Sequence, residues 1–253
     1  MKKYHIILLI SAVVLLINSN VYSQPKFTLH VTGGYTLPMQ DFSSTIVASD
    51  TADDNWPYKN KSGFNFGLDG KLAIGKKGNF RVVFGGSYNM FKQTGTIADP
   101  DAGNITLTTK MNILALSLGG EWAFQPTKKV NPFLGLDITT SFFSGSFATD
   151  PVIDAYPRTS MKSETRVGIQ FGGGVDFKLS KMVGAVIGVK YHLVNLIGVG
   201  ADDSTEVAAN EIDLGDKAHT EGGVSVAARS IGYLQAYVGV SFYFGAPKPT
   251  MKK

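Results

Sequence analysis

Eight ionisable side chains fall on the polar phase of segments in which apolar and polar residues alternate. Four are acids and four are bases: Asp69, Glu121, Asp137 and Asp176, with Lys71, Arg81, Arg166 and Lys190. An unpaired charge in a narrow, poorly hydrated interior is costly, so these groups are predicted to pair. Arg81 and Glu121 are predicted to form one such pair. The favoured interpretation is a rigid, plugged interior with a neutral charge network, and the alternative is a gated path for ions.

Two histidines, His30 and His192, lie on the same polar phase. A histidine beside a serine and an acid can act as a general base toward a nucleophilic hydroxyl. His192 with Ser87 or Ser141 is the nearest candidate for such a group, but the chain has no motif typical of a serine nucleophile. A histidine that fills the interior through hydrogen bonds is therefore favoured, and we expect no catalytic residues.

Other charges cluster between the alternating segments. Carboxylates collect in two stretches: Asp50, Asp53 and Asp54, then Asp202, Asp203, Glu206, Glu211, Asp213, Asp216 and Glu221. Hard divalent cations bind clustered carboxylates, but neither stretch matches a defined calcium loop, so solvated acidic loops are favoured. Lysine pairs lie near three short connections: Lys76 and Lys77, Lys128 and Lys129, Lys178 and Lys181. Such lysines can meet anionic headgroups, but ordinary turn lysines are slightly favoured.

The composition excludes several classes of function. The chain has no cysteine, which excludes disulfides, thiolate chemistry and cysteine-based zinc sites. Its formal charge of +4 includes Lys2 and Lys3 in a segment predicted to be removed, which leaves about +2. That charge is too small and scattered to predict a nucleic-acid partner. We expect neither a cofactor nor a metal.

Residues 1–23 are predicted to be a cleaved secretory signal peptide. Lys2 and Lys3 form its basic start, and the apolar run Ile6–Ile17 is shorter than the roughly 20 residues that span a bilayer. Val21 and Ser23 are small residues at the expected positions before a cut at Gln24. An uncleaved anchor helix is the alternative.

The rest of the chain has the period of two that is typical of β-strands with unlike faces. Eight segments of about 11 residues, the length of a tilted membrane-crossing strand, each present an uncharged apolar face. They are residues 27–37, 64–74, 80–90, 114–124, 132–142, 167–177, 183–193 and 234–244. One segment is imperfect, because apolar residues occupy odd positions up to Ile113 and even positions from Leu114. A β-bulge near Ile113 is predicted to change the phase, and the alternative is a strand that begins later.

Connection lengths and aromatic residues indicate how these segments are arranged. Short connections (75–79, 125–131, 179–182) alternate with long ones (38–62, 92–110, 145–164, 195–230). Aromatic residues concentrate at the segment ends and are predicted to form two girdles at the membrane interfaces. The predicted girdle includes Phe27, Tyr35, Phe64, Tyr88, Trp122, Phe124, Phe177, Tyr191 and Phe244. A water-soluble barrel or sandwich is the alternative, but charged residues are only 17% of the chain and its polar faces are rich in Gly, Ser and Thr.

With its signal peptide, eight segments and a last strand ending Ser241-Phe242-Tyr243-Phe244, the chain resembles the small bacterial outer-membrane β-barrels, the OmpX-like and OmpA-like barrels of the porin-like superfamily. The resemblance implies an all-β fold: an eight-stranded antiparallel transmembrane barrel in an up-and-down meander. The barrel is expected over residues 24–244, followed by a short disordered tail at 245–253.

This resemblance also implies a location and partners. We expect the bacterial outer membrane, contact with its lipids and lipopolysaccharide, and recognition by the barrel-assembly machinery. The expected function is a structural or surface-interaction role, with long outward loops that bind an extracellular ligand. The alternative is a narrow passive pore or transporter of small or hydrophobic molecules. A lipid-modifying enzyme is less favoured.

Overall fold

The computed structural model describes residues 25–46, 56–75, 77–99, 103–150, 159–200, 211–221 and 224–245. The predicted signal peptide lies outside these residues, as do nearly all of the predicted tail and most of the acidic positions in the two predicted loops. In the described part of the chain, no helix is long and apolar enough to cross a membrane.

Eight long strands account for most of the described chain. They are β1 (Phe27–Gln40), β2 (Gly63–Ile74), β3 (Phe80–Asp99), β4 (Gly103–Ala123), β5 (Val130–Asp150), β7 (Glu164–Lys178), β8 (Val183–Ile197) and β12 (Ile231–Phe244). Short elements occur in the long connections: the 3-10 helix η1 (Trp56–Tyr58) and strands β6 (Thr159–Met161), β9 (Glu211–Ile212), β10 (His219–Glu221) and β11 (Val224–Val226).

The eight long strands form a closed antiparallel barrel. Each pairs with its neighbour in chain order, and β1 also pairs with β12 from Phe27↔Phe244 to Gln40↔Ile231, which closes the sheet. Closure leaves no open sheet edge, so the backbone polar groups are satisfied within the barrel wall. The eight-stranded meander predicted from the sequence is confirmed.

Side chains alternate between the two faces of the barrel wall as predicted. On β2, for example, Phe64 is 63% exposed on the outer face and the next residue, Asn65, is 1% exposed inside. Large apolar side chains remain exposed along all eight strands, including Leu116, Leu136 and Val238. Such a surface is unfavourable in water and favourable in hydrocarbon, because removal of apolar area from water is the dominant stabilising term.

The bulge predicted near Ile113 is wrong. Strand β4 pairs with β3 and β5 without a register shift, and its odd positions point inward throughout. The apparent change of phase arises because the inward residues Leu107, Met111 and Ile113 are themselves apolar and pack inside the barrel. The structure instead has a register shift between Val167 and Ile169, where β7 pairs with β8.

An apolar core fills the barrel at the end of the long connections. Three strands run well beyond the predicted length, with 20 residues in β3 and 21 in each of β4 and β5. The first long connection folds back into this end and brings Phe42 against Phe91, with ring centroids 5.1 Å apart. Phe91 in turn packs on Tyr233 at 5.8 Å. Because Phe42, Phe91 and Tyr233 are all buried, we call this group and its neighbours the apolar cap.

Two adjacent glycines at the closing seam provide a matched test of the barrel geometry. A Cβ at position 34 would lie 2.0 Å from the Ala236 carbonyl oxygen on β12, whereas a Cβ at position 33 would meet its nearest atom at 3.7 Å. We expect Gly34→Ala to lower the free energy of unfolding by about 2 kcal/mol, because backbone must move to relieve the overlap. Gly33→Ala is expected to have little effect. Urea unfolding and heat-modifiable gel migration measure both, and equal behaviour of the two variants would contradict this close approach of β1 and β12 at the seam.

Candidate functional site: the barrel interior

Polar side chains from seven strands converge inside the barrel at the end of the short turns. We call this group the lumen network; its members are His30, Asp69, Lys71, Arg81, Glu121, Asp137, Asp176 and Lys190. Each lies on the inward phase of its strand, because the period of two sends every second side chain into the interior. The network is the largest concentration of ionisable groups among the described residues, and its geometry determines whether the interior is open or filled.

Glu121 is the centre of the ion pairs in this network. Its Oε2 lies 2.5 Å from Lys71 Nζ and its Oε1 lies 3.0 Å from Arg81 Nη1. Arg81 Nη1 also lies 3.2 Å from Asp176 Oδ2, so the guanidinium joins two carboxylates. The structure thus contains the Arg81–Glu121 pair that the sequence predicts. These contacts connect strands β2, β3, β4 and β7 across the interior.

Two further pairs extend the lumen network. Lys190 Nζ lies 2.8 Å from Asp69 Oδ2, across the barrel from β8 to β2. His30 Nε2 lies 2.9 Å from Asp176 Oδ1. The Lys71 ammonium also lies 3.8 Å from the centroid of the Phe133 ring, a cation–π contact in the same layer. The charged groups therefore contact one another across the interior of the barrel.

Asp137 is the network carboxylate that no described base pairs with. Gln170 donates its side-chain amide to Asp137 Oδ2 at 2.5 Å, and Asp137 Oδ1 has no hydrogen-bond partner among the described residues. A cavity of about 20 Å³ lies beside it, lined by Asp69, Glu121 and Tyr237 among others. A water molecule needs about 10–15 Å³ of such space, so the cavity is of water size and not of channel size.

Arg166 does not belong to the lumen network, which corrects the sequence prediction. It lies near the outer end of β7, where its Nε and Nη2 approach Asp216 at 2.9 and 2.7 Å, and it also pairs with Glu164. The period of two correctly predicts that Arg166 points inward. It does not predict where along the barrel axis a side chain lies, or which groups it meets there. The network consequently has four acids, three permanent bases and His30.

A neutral hydrogen-bonded layer separates the lumen network from the apolar cap. His192 Nε2 lies 3.1 Å from Gln235 Oε1, and Gln235 donates to Asn89 Oδ1 at 3.2 Å. Asn89 also donates to Tyr233 Oη at 3.3 Å, and the His192 and Tyr233 rings stack with centroids 4.2 Å apart. His192 was predicted from the sequence to face the interior, whereas Gln235 and Asn89 were not singled out, although both lie on the inward phase.

This layer does not assemble the serine, histidine and acid needed for nucleophilic catalysis. The hydrogen-bond partner of His192 is Gln235, and the side chain is 1% exposed. Ser87 accepts a hydrogen bond from Asn89, whereas the Ser141 hydroxyl has no partner among the described residues. His192 thus occupies the filling role that the sequence analysis favoured. The described residues also contain no group of three or more His, Asp or Glu positioned to hold a metal ion.

The last long connection is fastened across the outer mouth of the barrel through Asp216, which is 0% exposed. Its carboxylate accepts hydrogen bonds from Arg166, from Asn195 Nδ2 at 2.9 Å and from the Gly200 backbone at 3.0 Å. Burial on its own would raise the pKa of Asp216, but these donors more than offset burial and hold the pKa below its usual value.

Leu214, two residues before Asp216, secures the same segment. Its carbonyl accepts a hydrogen bond from the Tyr58 hydroxyl at 2.6 Å, and its backbone amide donates to Glu164 Oε1 at 2.8 Å. The Leu214 side chain is buried in the apolar cap. We call the contacts of Leu214 and Asp216 the latch; they hold residues 213–216 against the first long connection and β7.

All nine residues of the predicted aromatic girdle lie on the outer surface of the barrel wall. Phe27 and Tyr191 are half-buried there, and the others are exposed. Phe27 packs on Phe244 across the closing seam with centroids 5.8 Å apart, and Tyr35 packs on Phe64 at 5.9 Å. These pairs lie at opposite ends of the apolar band, as interfacial anchors require.

An apolar outer band between aromatic ends, a closed eight-stranded sheet and a filled polar interior together define a transmembrane β-barrel. Residues 9–220 match the family model described as "Outer membrane protein beta-barrel domain". The chain belongs to this family and is a protein of the bacterial outer membrane. A comparison with curated protein sequences gave no match.

Several solved structures have a similar general shape. Neisserial surface protein A is 12% identical over 87% of this chain and 97% of that chain, with a TM-score of 0.47. OprG from Pseudomonas aeruginosa is 12% identical over 90% and 100%, with a TM-score of 0.44. Ail, the attachment invasion locus protein of Yersinia pestis, is 11% identical over 86% and 99%, with a TM-score of 0.40, in a complex with the heparin analogue sucrose octasulfate.

The difference between Glu121 and Asp137 can be tested by matched amide substitutions. Glu121→Gln leaves Lys71 buried without a carboxylate partner, and we expect it to lower the free energy of unfolding by about 3 kcal/mol. Asp137→Asn removes a buried charge that no described base pairs with and keeps an acceptor for Gln170. We expect that variant to lie within about 1 kcal/mol of the wild type or to be more stable. Urea unfolding in lipid vesicles measures both changes, and a larger loss for Asp137→Asn would contradict this assignment of the ion pairs.

Proposed function

We propose that this outer-membrane protein has a structural and surface-interaction role, in which a plugged barrel holds outward connections as a binding surface. The observation that carries the proposal is the filling of the interior at three successive levels. The lumen network fills the turn end, the hydrogen-bonded layer of His192, Gln235 and Asn89 fills the middle, and the apolar cap fills the outer end. A barrel of eight strands is just wide enough for its side chains to fill it.

The latch supports this proposal at the outer mouth. By fixing residues 213–216 to β7 and to Tyr58, it gives the long connections a rigid base inside the membrane-anchored barrel. Binding residues are commonly carried on connections that a rigid scaffold positions. We therefore propose an extracellular ligand for these connections, with lipopolysaccharide and membrane lipids around the wall. No nucleic-acid partner is proposed.

We further propose that the function is non-enzymatic and that the barrel-assembly machinery recognises β12. The strand ends in three consecutive aromatic residues, and its last residue, Phe244, pairs with Phe27 at the first position of β1. Burial of His192 without a serine partner supports the absence of hydrolytic chemistry. A narrow pore or transporter, the principal alternative, requires a continuous water path or a lateral opening. The cap and network fill the interior where such a path would run.

Conductance in planar bilayers tests the plugged interior directly. We expect no stable single-channel current of porin size from the purified full-length protein between pH 5 and pH 8, because the cap and the network exclude a water column. An open porin in the same bilayer provides the positive control. A reproducible current of porin size from this protein would contradict the proposal and favour the pore.

The latch makes a separate prediction about the outer mouth. Asp216→Ala leaves the buried Arg166 without its main partner, at a local cost of about 3 kcal/mol, so amide exchange at residues 213–216 should rise roughly a hundredfold. Glu211→Ala in the same connection is the control and should not change that exchange.

The protonation of Asp216 sets the pH range of this effect. A folded-state pKa below the usual 3.8 means that the carboxylate contributes its full stabilisation above that pH and loses it only as the pH falls through the lower folded value. Protection of residues 213–216, after correction for the intrinsic exchange rate, should therefore be equal at pH 5 and pH 7. Loss of protection at pH 5, or equal effects of Asp216→Ala and Glu211→Ala, would contradict the latch.

A further inference from the structure

Every exposed charge at the turn end of the described barrel is basic. The end consists of residues 25–27, 73–75, 77–80, 122–131, 177–184 and 243–245, and it contains no Asp or Glu. Lys77, Lys128, Lys129 and Lys181 are exposed there, and none of the four forms an ion pair with a described residue. The only described acids near this end, Glu121 and Asp176, are buried inside the barrel with partners of their own.

Three of these lysines lie on two turns that are fastened to each other. The Lys178 backbone amide donates to the Lys129 carbonyl at 2.7 Å, and Lys178 Nζ donates to the Pro126 carbonyl at 2.6 Å. These bonds join the β4–β5 turn to the β7–β8 turn and concentrate the charges of Lys128, Lys129 and Lys181. We call these three residues the basic turn patch.

Apolar side chains are exposed immediately beside the basic turn patch. In the β7–β8 turn Leu179 is 74% exposed and Met182 is 64% exposed, on either side of Lys181. Trp122 and Phe124 are exposed at the foot of β4, next to the β4–β5 turn. Large apolar side chains on a turn are unfavourable in water but favourable in the acyl region of a leaflet, where neighbouring lysines extend to the headgroups.

We propose that the basic turn patch binds the headgroup of an anionic phospholipid of the periplasmic leaflet. The lysine ammonium groups would meet the phosphate, and Leu179 and Met182 would contact the acyl chains of the same lipid. Short turns face the periplasm in outer-membrane barrels, so this end lies at that leaflet. Charge alone would equally suit an acidic soluble protein, but such a partner would not account for a leucine and a methionine that flank the lysine. Because the described residues of the turn end include no Asp or Glu, no carboxylate there competes with the lipid phosphate for these lysines.

Quenching of tryptophan fluorescence by brominated lipid can measure the local lipid composition. The chain has two tryptophans, so Trp56→Phe leaves Trp122, beside the patch, as the only tryptophan. The protein is reconstituted in vesicles of equal parts phosphatidylglycerol and phosphatidylcholine, with the bromines on one lipid in the first preparation and on the other in the second. The ratio of the two quenching efficiencies reports which lipid is enriched at Trp122.

We expect an approximately fivefold enrichment of phosphatidylglycerol at low salt, the value for one lysine–phosphate contact. The enrichment should decrease in high salt, because exposed charges are screened. Replacement of the patch by glutamine (Lys128→Gln, Lys129→Gln and Lys181→Gln together) should bring the ratio to one. The control carries the same charge change at the outer end, at the exposed residues Lys61, Lys92 and Lys110, and should keep the enrichment.

Three results would overturn the proposal. They are a wild-type ratio of one, a ratio that does not respond to replacement of the patch, and an equal loss in the control, which would indicate a general charge effect. Heat-modifiable migration establishes that each variant is folded before the comparison. The salt dependence of the unsubstituted patch tests the proposal without any variant of the turns.

Discussion

The fold depends on the absence of water around the barrel wall. A backbone amide or carbonyl in hydrocarbon has no solvent partner, so each one must be satisfied within the protein, and a sheet can achieve this only by closing. The β1–β12 seam provides that closure over the whole of both strands, from Phe27↔Phe244 to Gln40↔Ile231. Close approach at Gly34 and Ala236 is one local consequence, because the backbones meet there with no space for a side chain.

Closure in turn constrains the interior. Eight strands enclose a volume that side chains just fill, and every inward group must find its partner there. The described residues meet this requirement at different heights by different means: ion pairs around Glu121, amide and ring contacts around Asn89 and His192, and apolar packing around Phe91 and Tyr233. Among the carboxylates of the lumen network, Asp137 is the exception, because one of its oxygens has no described partner and faces a water-sized cavity. The hydrogen-bonded layer and the apolar cap therefore lie between the lumen network and the outer mouth.

Strand number and strand faces were predictable from the sequence because both follow from the period of two in a lipid environment. The long connection predicted at 92–110 was wrong, because β3 and β4 continue to pair through this range as far as Asp99↔Gly103. Prediction was less successful where the strands continue to alternate but no longer lie in hydrocarbon. Ile113 and Met111 are apolar and point inward, since the strands extend past the band of lipid-facing residues and enclose an apolar core. The alternation assigned Arg166 to the correct face but not to its partner Asp216. That partner lies in a connection, and the period of two does not predict the course of a connection. Gln235 and Asn89 are uncharged, so the sequence did not distinguish them from the other polar residues on the inward faces.

The central claim, that hydrocarbon surrounds the alternate residues of each strand, can be tested by spin labels on β5. The chain contains no native cysteine, so single cysteines at Leu134, Leu136 and Ile138 can be labelled without background, with Asp150 as an exposed control at the outer end of the same strand. In vesicles, the account predicts that oxygen, which concentrates in hydrocarbon, relaxes the three labels more than a water-soluble nickel complex, and that the order reverses at Asp150. Greater relaxation by the nickel complex at Leu134, Leu136 and Ile138 would show that water surrounds this face and would contradict the account.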